Sequence, residues 1–153
     1  MRFLLTSCSA FLLLGAPSPA QTPEARRHLA QGVGLFQEHD DTGDALVEAQ
    51  AEFAAALRLE PRYCAARAYQ GLIDLEMGHE SDAEAAFREA LSWDPKCAEA
   101  LVGQARLNEK APPPREWIPL LRKAVAVAPR NALARRELAY AVTAESRNPT
   151  PAM

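Results

Sequence analysis

The sequence predicts an all-α fold, a solenoid of helical hairpins closed by one last helix, and three observations predict it. First, Pro61, Pro95 and Pro129 are separated by two equal intervals of 34 positions, and Ala56, Ala90 and Ala124 keep that interval, as do Phe53, Phe87 and Leu121. A period of this length marks a stacked repeat. Second, alanine is abundant and only 7 of the 153 residues are glycine, a composition that favours helix over strand. Third, apolar residues recur at three- and four-residue steps between starting and breaking residues. Ser81 to Pro95 shows all of this in one segment. Ser81 and Glu84 have the spacing of a capping box, Ala83, Phe87, Ala90 and Leu91 form one face, and Pro95 cannot continue the helix. Ala49 and Ala83 keep the interval as well, but Trp117 breaks that series.

The first twenty residues read as an export signal and not as part of the fold. Arg2 supplies a short positive start, Phe3 to Gly15 is mainly apolar, and Ser18-Pro19-Ala20 places small residues at a cleavage site. The apolar run is shorter than the about 20 residues needed to span a bilayer; an uncleaved anchor is the alternative. Leu5 to Cys8 has the residue types of a lipoprotein box, but too little apolar chain precedes it to act as one. Taking Arg2 from the 17 basic residues leaves 16 against 20 acidic, a mature charge of −4, with no basic surface for nucleic acid. The expected setting is periplasmic or secreted, with residues 21–147 folded and 148–153 a frayed tail. No membrane insertion is expected after signal cleavage.

Thr22-Pro23-Glu24 opens the mature chain as a helix start, and Leu29, Val33 and Phe36 continue it. Asp-Asp-Thr-Gly-Asp at 40–44 is a turn. The second helix ends near Leu59, with Leu46, Ala49, Phe53, Ala56 and Leu57 on one face. The third spans roughly Cys64 to Met77 and stops at Gly78, where a C-cap is wanted; the Ser81 helix is the fourth. The fifth runs from about Cys97 to Lys110, its apolar side formed by Ala98, Leu101, Ala105 and Leu107. Pro112-Pro113-Pro114 forces an extended break. Pro119 is tolerable only in a first turn, so the sixth helix starts near residues 116–118 and ends near Val127. Asn131 caps a seventh that reaches about Glu145. The units are thus about 24–61, 62–95 and 96–129, with a cap at 131–146.

At these residues the chain resembles the tetratricopeptide repeat family. The clearest unit has Gly71 and Gly78 in its first helix and Ala83, Phe87, Ala90 and Pro95 in its second. The preceding unit matches through Gly34, Ala49, Phe53, Ala56 and Pro61. Its turn is three residues longer, because Gly34 to Phe53 is 19 steps and Gly71 to Phe87 is 16. The following unit is degenerate, with Ala105 for the glycine, Trp117 for the small alanine and Leu121 for the phenylalanine. The resemblance implies a right-handed solenoid of about three such repeats plus a C-terminal capping helix, in which Leu133, Leu138 and Ala141 cover the last hairpin.

It also implies a protein-interaction scaffold with no cofactor and no metal. In the family, the first helices line a concave groove. Matching the units puts His28, Gln31, Leu35, Glu38 and His39 there from the first, Ala65, Ala68, Leu72, Leu75 and Glu76 from the second, and Glu99, Val102, Arg106, Glu109 and Lys110 from the third. An apolar centre with charged edges suits a helical or extended peptide; the alternative is that Leu72, Leu75 and Val102 are core. The family's chaperone-tail binders grip a terminal carboxylate with asparagines. Tyr69 and Gly103 match those asparagines here, which disfavours that partner.

The residues themselves point away from an enzyme: there is no glycine-rich phosphate loop, no His-Glu-x-x-His and no Gly-x-Ser-x-Gly. His28 and His39 share a helical face, but at about 16 Å apart cannot share a metal; both read as solvated. Trp93 and Trp117 are candidate anchors for self-association, the basis of an alternative function as an assembly or chaperone-like subunit of an envelope or secretion complex. More often such residues fill a local gap. Cys64 and Cys97 lack zinc-site spacing. Antiparallel helices would bring their ends together as a disulfide; the alternative is two separate thiols too far apart to bridge.

Overall fold

The computed structural model describes residues 21–38, 43–109 and 117–147. They form seven helices and no strand: α1 (Pro23–Glu38), α2 (Asp44–Leu59), α3 (Cys64–Glu76), α4 (Glu80–Trp93), α5 (Ala98–Glu109), α6 (Trp117–Val127) and α7 (Ala132–Arg147). The expected order and extents hold to within a residue or two. The export segment, His39, Lys110, the triple proline and the tail lie outside the described residues. No described helix is long and apolar enough to cross a membrane.

Local chemistry sets the boundaries. Thr22 caps α1 by accepting the Ala25 N–H on its Oγ1 at 3.2 Å, and Asn131 caps α7 by accepting the Ala134 N–H on Oδ1 at 3.0 Å. Gly78 has φ +81°; its N–H bonds the Leu75 carbonyl and the His79 N–H bonds that of Asp74. This is a Schellman ending to α3 and needs the left-handed conformation that glycine takes without penalty. That ending corrects the expected capping box. The residue before α4 is His79, which makes no side-chain cap bond. Its backbone carbonyl accepts the Ala83 N–H, so Ser81 lies inside the first turn, and Glu84 pairs with Arg88 one turn on at 2.7 Å.

The prolines mark one repeated turn. Tyr63 N–H bonds the Glu60 carbonyl, Cys97 that of Asp94 and Asn131 that of Ala128, each at 3.0 Å. Proline is the second residue of all three turns, where its fixed φ is already correct. The turns launch α3, α5 and α7 at the interval of the repeat.

Helices pair as antiparallel hairpins, α1 with α2, α3 with α4 and α5 with α6, and α7 packs on both helices of the last hairpin. The odd helices touch in series, α1 to α3, α3 to α5 and α5 to α7, whereas α2 does not reach α4 and α4 does not reach α6 among the described residues. The odd helices therefore form the tighter, inner layer and the even helices splay outward. Phe53 and Phe87 are fully buried, a burial that contributes roughly 2–3 kcal/mol each. Leu121, in the same register, is 1% exposed. Trp117 is also buried, at 7% exposure, so it fills the hairpin and is not the exposed anchor proposed above; Trp93 is half-buried.

The glycines revise the register of the first unit. A methyl group added at Gly71 would stand 2.8 Å from the Phe87 ring, and one at Gly32 would stand 2.6 Å from the Phe53 ring, while one at Gly34 meets nothing within 4 Å. Gly32, not Gly34, is thus the counterpart of Gly71. The extra length between the first two helices is five residues, since Gly32 to Phe53 is 21 steps.

Candidate functional site

The inner layer is the surface on which the sequence placed a groove. In the revised register, Arg26, Leu29, Val33, Phe36 and Gln37 occupy the positions that Ala65, Ala68, Leu72, Leu75 and Glu76 hold in the second unit. His28 moves off this surface. It is half-buried against α2, its Nδ1 2.7 Å from Glu52 Oε2, as its counterpart Arg67 pairs across its own hairpin with Glu89 at 2.7 Å. Gln31, Leu35 and Glu38 lie off the inner stripe for the same reason.

The apolar centre is packing between helices. Ala68, Leu72 and Val102 have zero exposure, Leu75 has 6% and Ala65 has 8%. Their side chains hold α1, α3 and α5 together and are not an open floor. The polar residues at the edges bond across the helices instead. Arg106 on α5 bonds Glu76 on α3 at 2.7 Å, and Asn131 donates to Glu99 Oε1 at 2.7 Å, tying the start of α7 to α5. Glu109 stays exposed.

One further interval along the chain reaches two residues that the sequence reading missed. Advanced by one repeat, Val102 and Arg106 fall on Arg136 and Tyr140 of α7. Arg136 is exposed, and Tyr140 is a large apolar side chain with 58% exposure. The signal lies in the repeat itself, continued into a helix expected only to cap.

Tyr69 and Gly103 occupy equivalent places with opposite volumes. Tyr69 stacks on Phe53 with ring centroids 5.1 Å apart and planes 13° apart, and meets Phe36 edge-on at 5.8 Å. Burial first, and the negative charge of Glu99 second, push the Tyr69 phenol well above its usual pKa, so it stays neutral. At Gly103 an added methyl would stand 2.2 Å from the Phe87 ring. Gly103 has no side-chain donor for a ligand carboxylate, and Tyr69 is only 6% exposed.

A concavity lies on another side of the molecule, where α4 and α6 splay apart over α5. This cleft of about 1010 Å³ is lined by Glu80, Glu84, Gln104, Asn108, Leu120 and Lys123 among others. No group of three or more His, Cys, Asp or Glu that could hold a metal occurs among the described residues.

No protein-family profile and no curated protein sequence matches this chain. Solved structures do. The first tetratricopeptide domain of Spaghetti (RPAP3), bound to the HSP90 peptide SRMEEVD, superposes with a TM-score of 0.54 at 14% identity over 80% of this chain and 94% of that one. The tetratricopeptide domain of Arabidopsis OM64 does so with a TM-score of 0.54 at 16% identity over 79% and 96%. The fold is that of a tetratricopeptide-repeat domain. The tetratricopeptide arrangement accounts for the inner layer of first helices, the rings of Phe53 and Phe87 pressed on small residues, and the proline turn that resets each unit.

Proposed function

We propose that this chain is a non-catalytic interaction scaffold, exported to the periplasm or secreted, that holds a peptide or protein segment along the inner surface of α1, α3, α5 and α7. The observation behind this reading is the exposed Tyr140 beside Arg136, at the position that continues the inner stripe. Exposed aromatic and arginine side chains are the residue types that most often dominate binding energy. The Spaghetti domain, which has the same fold, was solved with a bound peptide. Because Gly103 has no side chain and Tyr69 is buried where a carboxylate clamp would need two open donors, the segment is held by an apolar contact at Tyr140 and a carboxylate at Arg136, and not by its terminus.

Peptides selected from a random library against the purified chain test this, with affinities compared between wild type and Tyr140→Ala. The substitution is at the surface, so melting should be unchanged, and binding should weaken by about tenfold or more. Unchanged affinity, or selected peptides that map to the α4–α6 cleft, would contradict the reading. Leu72 is unsuitable as a probe, since a charge at a fully buried position would unfold the domain.

A second reading is an assembly subunit that self-associates through α7, favoured by Val142, 44% exposed, on the same helix as Tyr140. Sedimentation across micromolar concentrations decides it: a monomer throughout ends the reading.

A further inference from the structure

The joint between the second and third units holds two cysteines that the interaction surface does not use. Cys64 is the first residue of α3, and Cys97 closes the proline turn immediately before α5. Their separation falls one position short of the repeat, since the position equivalent to Cys64 in the third unit is Ala98. Cys97 therefore stands in the turn that contacts the start of α3, and not at the point of α5 equivalent to Cys64. Asp94 touches both: its Oδ2 is 3.9 Å from Cys64 Sγ, and its carbonyl accepts the Cys97 N–H at 3.0 Å. The Cys97 thiol donates to Glu99 Oε2 at 3.7 Å, the Cys64 thiol is the first cause of the rise in its pKa, and both are free. Their accessibility differs, with Cys64 half-exposed and Cys97 only 2% exposed.

We propose that Cys64 and Cys97 form an oxidisable dithiol, in which Cys64 exchanges with an external disulfide and Cys97 resolves it into a bond that fastens α3 to the turn before α5. The Cys64 thiolate attacks one sulfur of the oxidant RS–SR, forming Cys64–S–SR and releasing RS⁻. The Cys97 thiolate then attacks the Cys64 sulfur, closing the Cys64–Cys97 bond and releasing the second RS⁻. The two thiol protons pass to solvent or to the released thiolates, so two thiols are oxidised and one disulfide is reduced to two thiols. The order follows from access, because an external reagent reaches Cys64 and not Cys97. The Cys64 thiol itself, then burial, raise the Cys97 pKa, which leaves the first attack to Cys64.

The test uses the full chain with Cys8→Ser, which leaves these two cysteines alone. After incubation with oxidised glutathione and alkylation under denaturing conditions, the protein should be lighter than its reduced form by about 2 Da, take up no alkylating agent, and yield a linked Cys64–Cys97 peptide. Its Tm should rise by about 10 °C over the reduced protein, since the closed loop restricts the unfolded chain. Adding Cys97→Ser should instead leave a stable glutathione adduct on Cys64. Two alkylated cysteines, a persistent glutathione adduct on the protein that retains both cysteines, or a disulfide between two chains would overturn the proposal.

Discussion

The joint between units one and two and the joint between units two and three solve one packing problem in opposite ways. Phe53 and Phe87 are equivalent rings one repeat apart, and Tyr69 and Gly103 are the equivalent residues they meet on the next unit. In the first joint a ring stacks on a ring. In the second, the ring lies where a side chain would otherwise be, pressed against Gly103 and also against Gly71 of its own hairpin. What a solenoid conserves at its joints is therefore filled volume, and the residue that fills it can sit on either side. A joint made of ring and glycine has no second side chain able to compensate for loss of the ring.

Truncating the rings should expose this difference most strongly. Phe87→Ala should cost about 4–5 kcal/mol by urea denaturation, because Gly71 and Gly103 have no side chains to close the cavity. Phe53→Ala should cost about 3 kcal/mol, since Tyr69 and Phe36 can tilt inward. Equal losses would remove the distinction between the joints.

The glycines give the next largest effects, and they differ in sign. Gly103→Ala should destabilise by about 2–3 kcal/mol and Gly32→Ala by about 1–2 kcal/mol, each by forcing a buried ring aside. Gly34→Ala, two residues from Gly32 on the same helix, should stabilise by about 0.5–1 kcal/mol, because its methyl meets open space and alanine favours helix. Thermal melts of the three variants would check the register directly.

The smallest effect concerns pH. Burial first, and the nearby negative charge of Asp82 second, raise the Asp74 pKa above its ordinary value. A carboxyl whose folded pKa exceeds its unfolded one binds its proton more tightly when folded. It therefore adds stability as pH falls through the folded pKa toward the unfolded one, and that contribution is absent at neutral pH. Asp74→Asn should accordingly stabilise the fold at pH 7, by no more than a few tenths of a kcal/mol given solvent screening, and the gain should vanish below about pH 4. A Tm difference independent of pH would mean that the carboxyl's charge is not the cause.

The fold was legible because one period recurs in prolines, alanines and rings alike, and each of these has a direct physical role in a stacked hairpin. Register within the first unit was not legible. Gly32 and Gly34 both lie on α1, the α1–α2 connection can absorb either spacing, and only the position of Phe53 distinguishes them. Ser81 misled in a similar way. Its Ser-x-x-Glu spacing suits a cap, but the Schellman ending at Gly78 brings the chain into α4 two residues earlier, with His79 before the first turn. The groove was the least legible part. Periodicity marks Ala68, Leu72 and Val102 as facing the inner layer, yet it cannot show that neighbouring helices cover them completely. Tyr140 could have been found by carrying the period one step further.

The central claim is that Phe87 and residue 103 compete for one volume across the second joint. A double-mutant cycle measures this through the stabilities of wild type, Phe87→Leu, Gly103→Ala and the combined variant. Leucine lacks the ring atoms that the added methyl would strike, so Gly103→Ala should cost at least about 1 kcal/mol less beside Leu at position 87 than beside the native Phe87. Additive losses, within about 0.3 kcal/mol, would show that the two residues do not share the space and would contradict the claim.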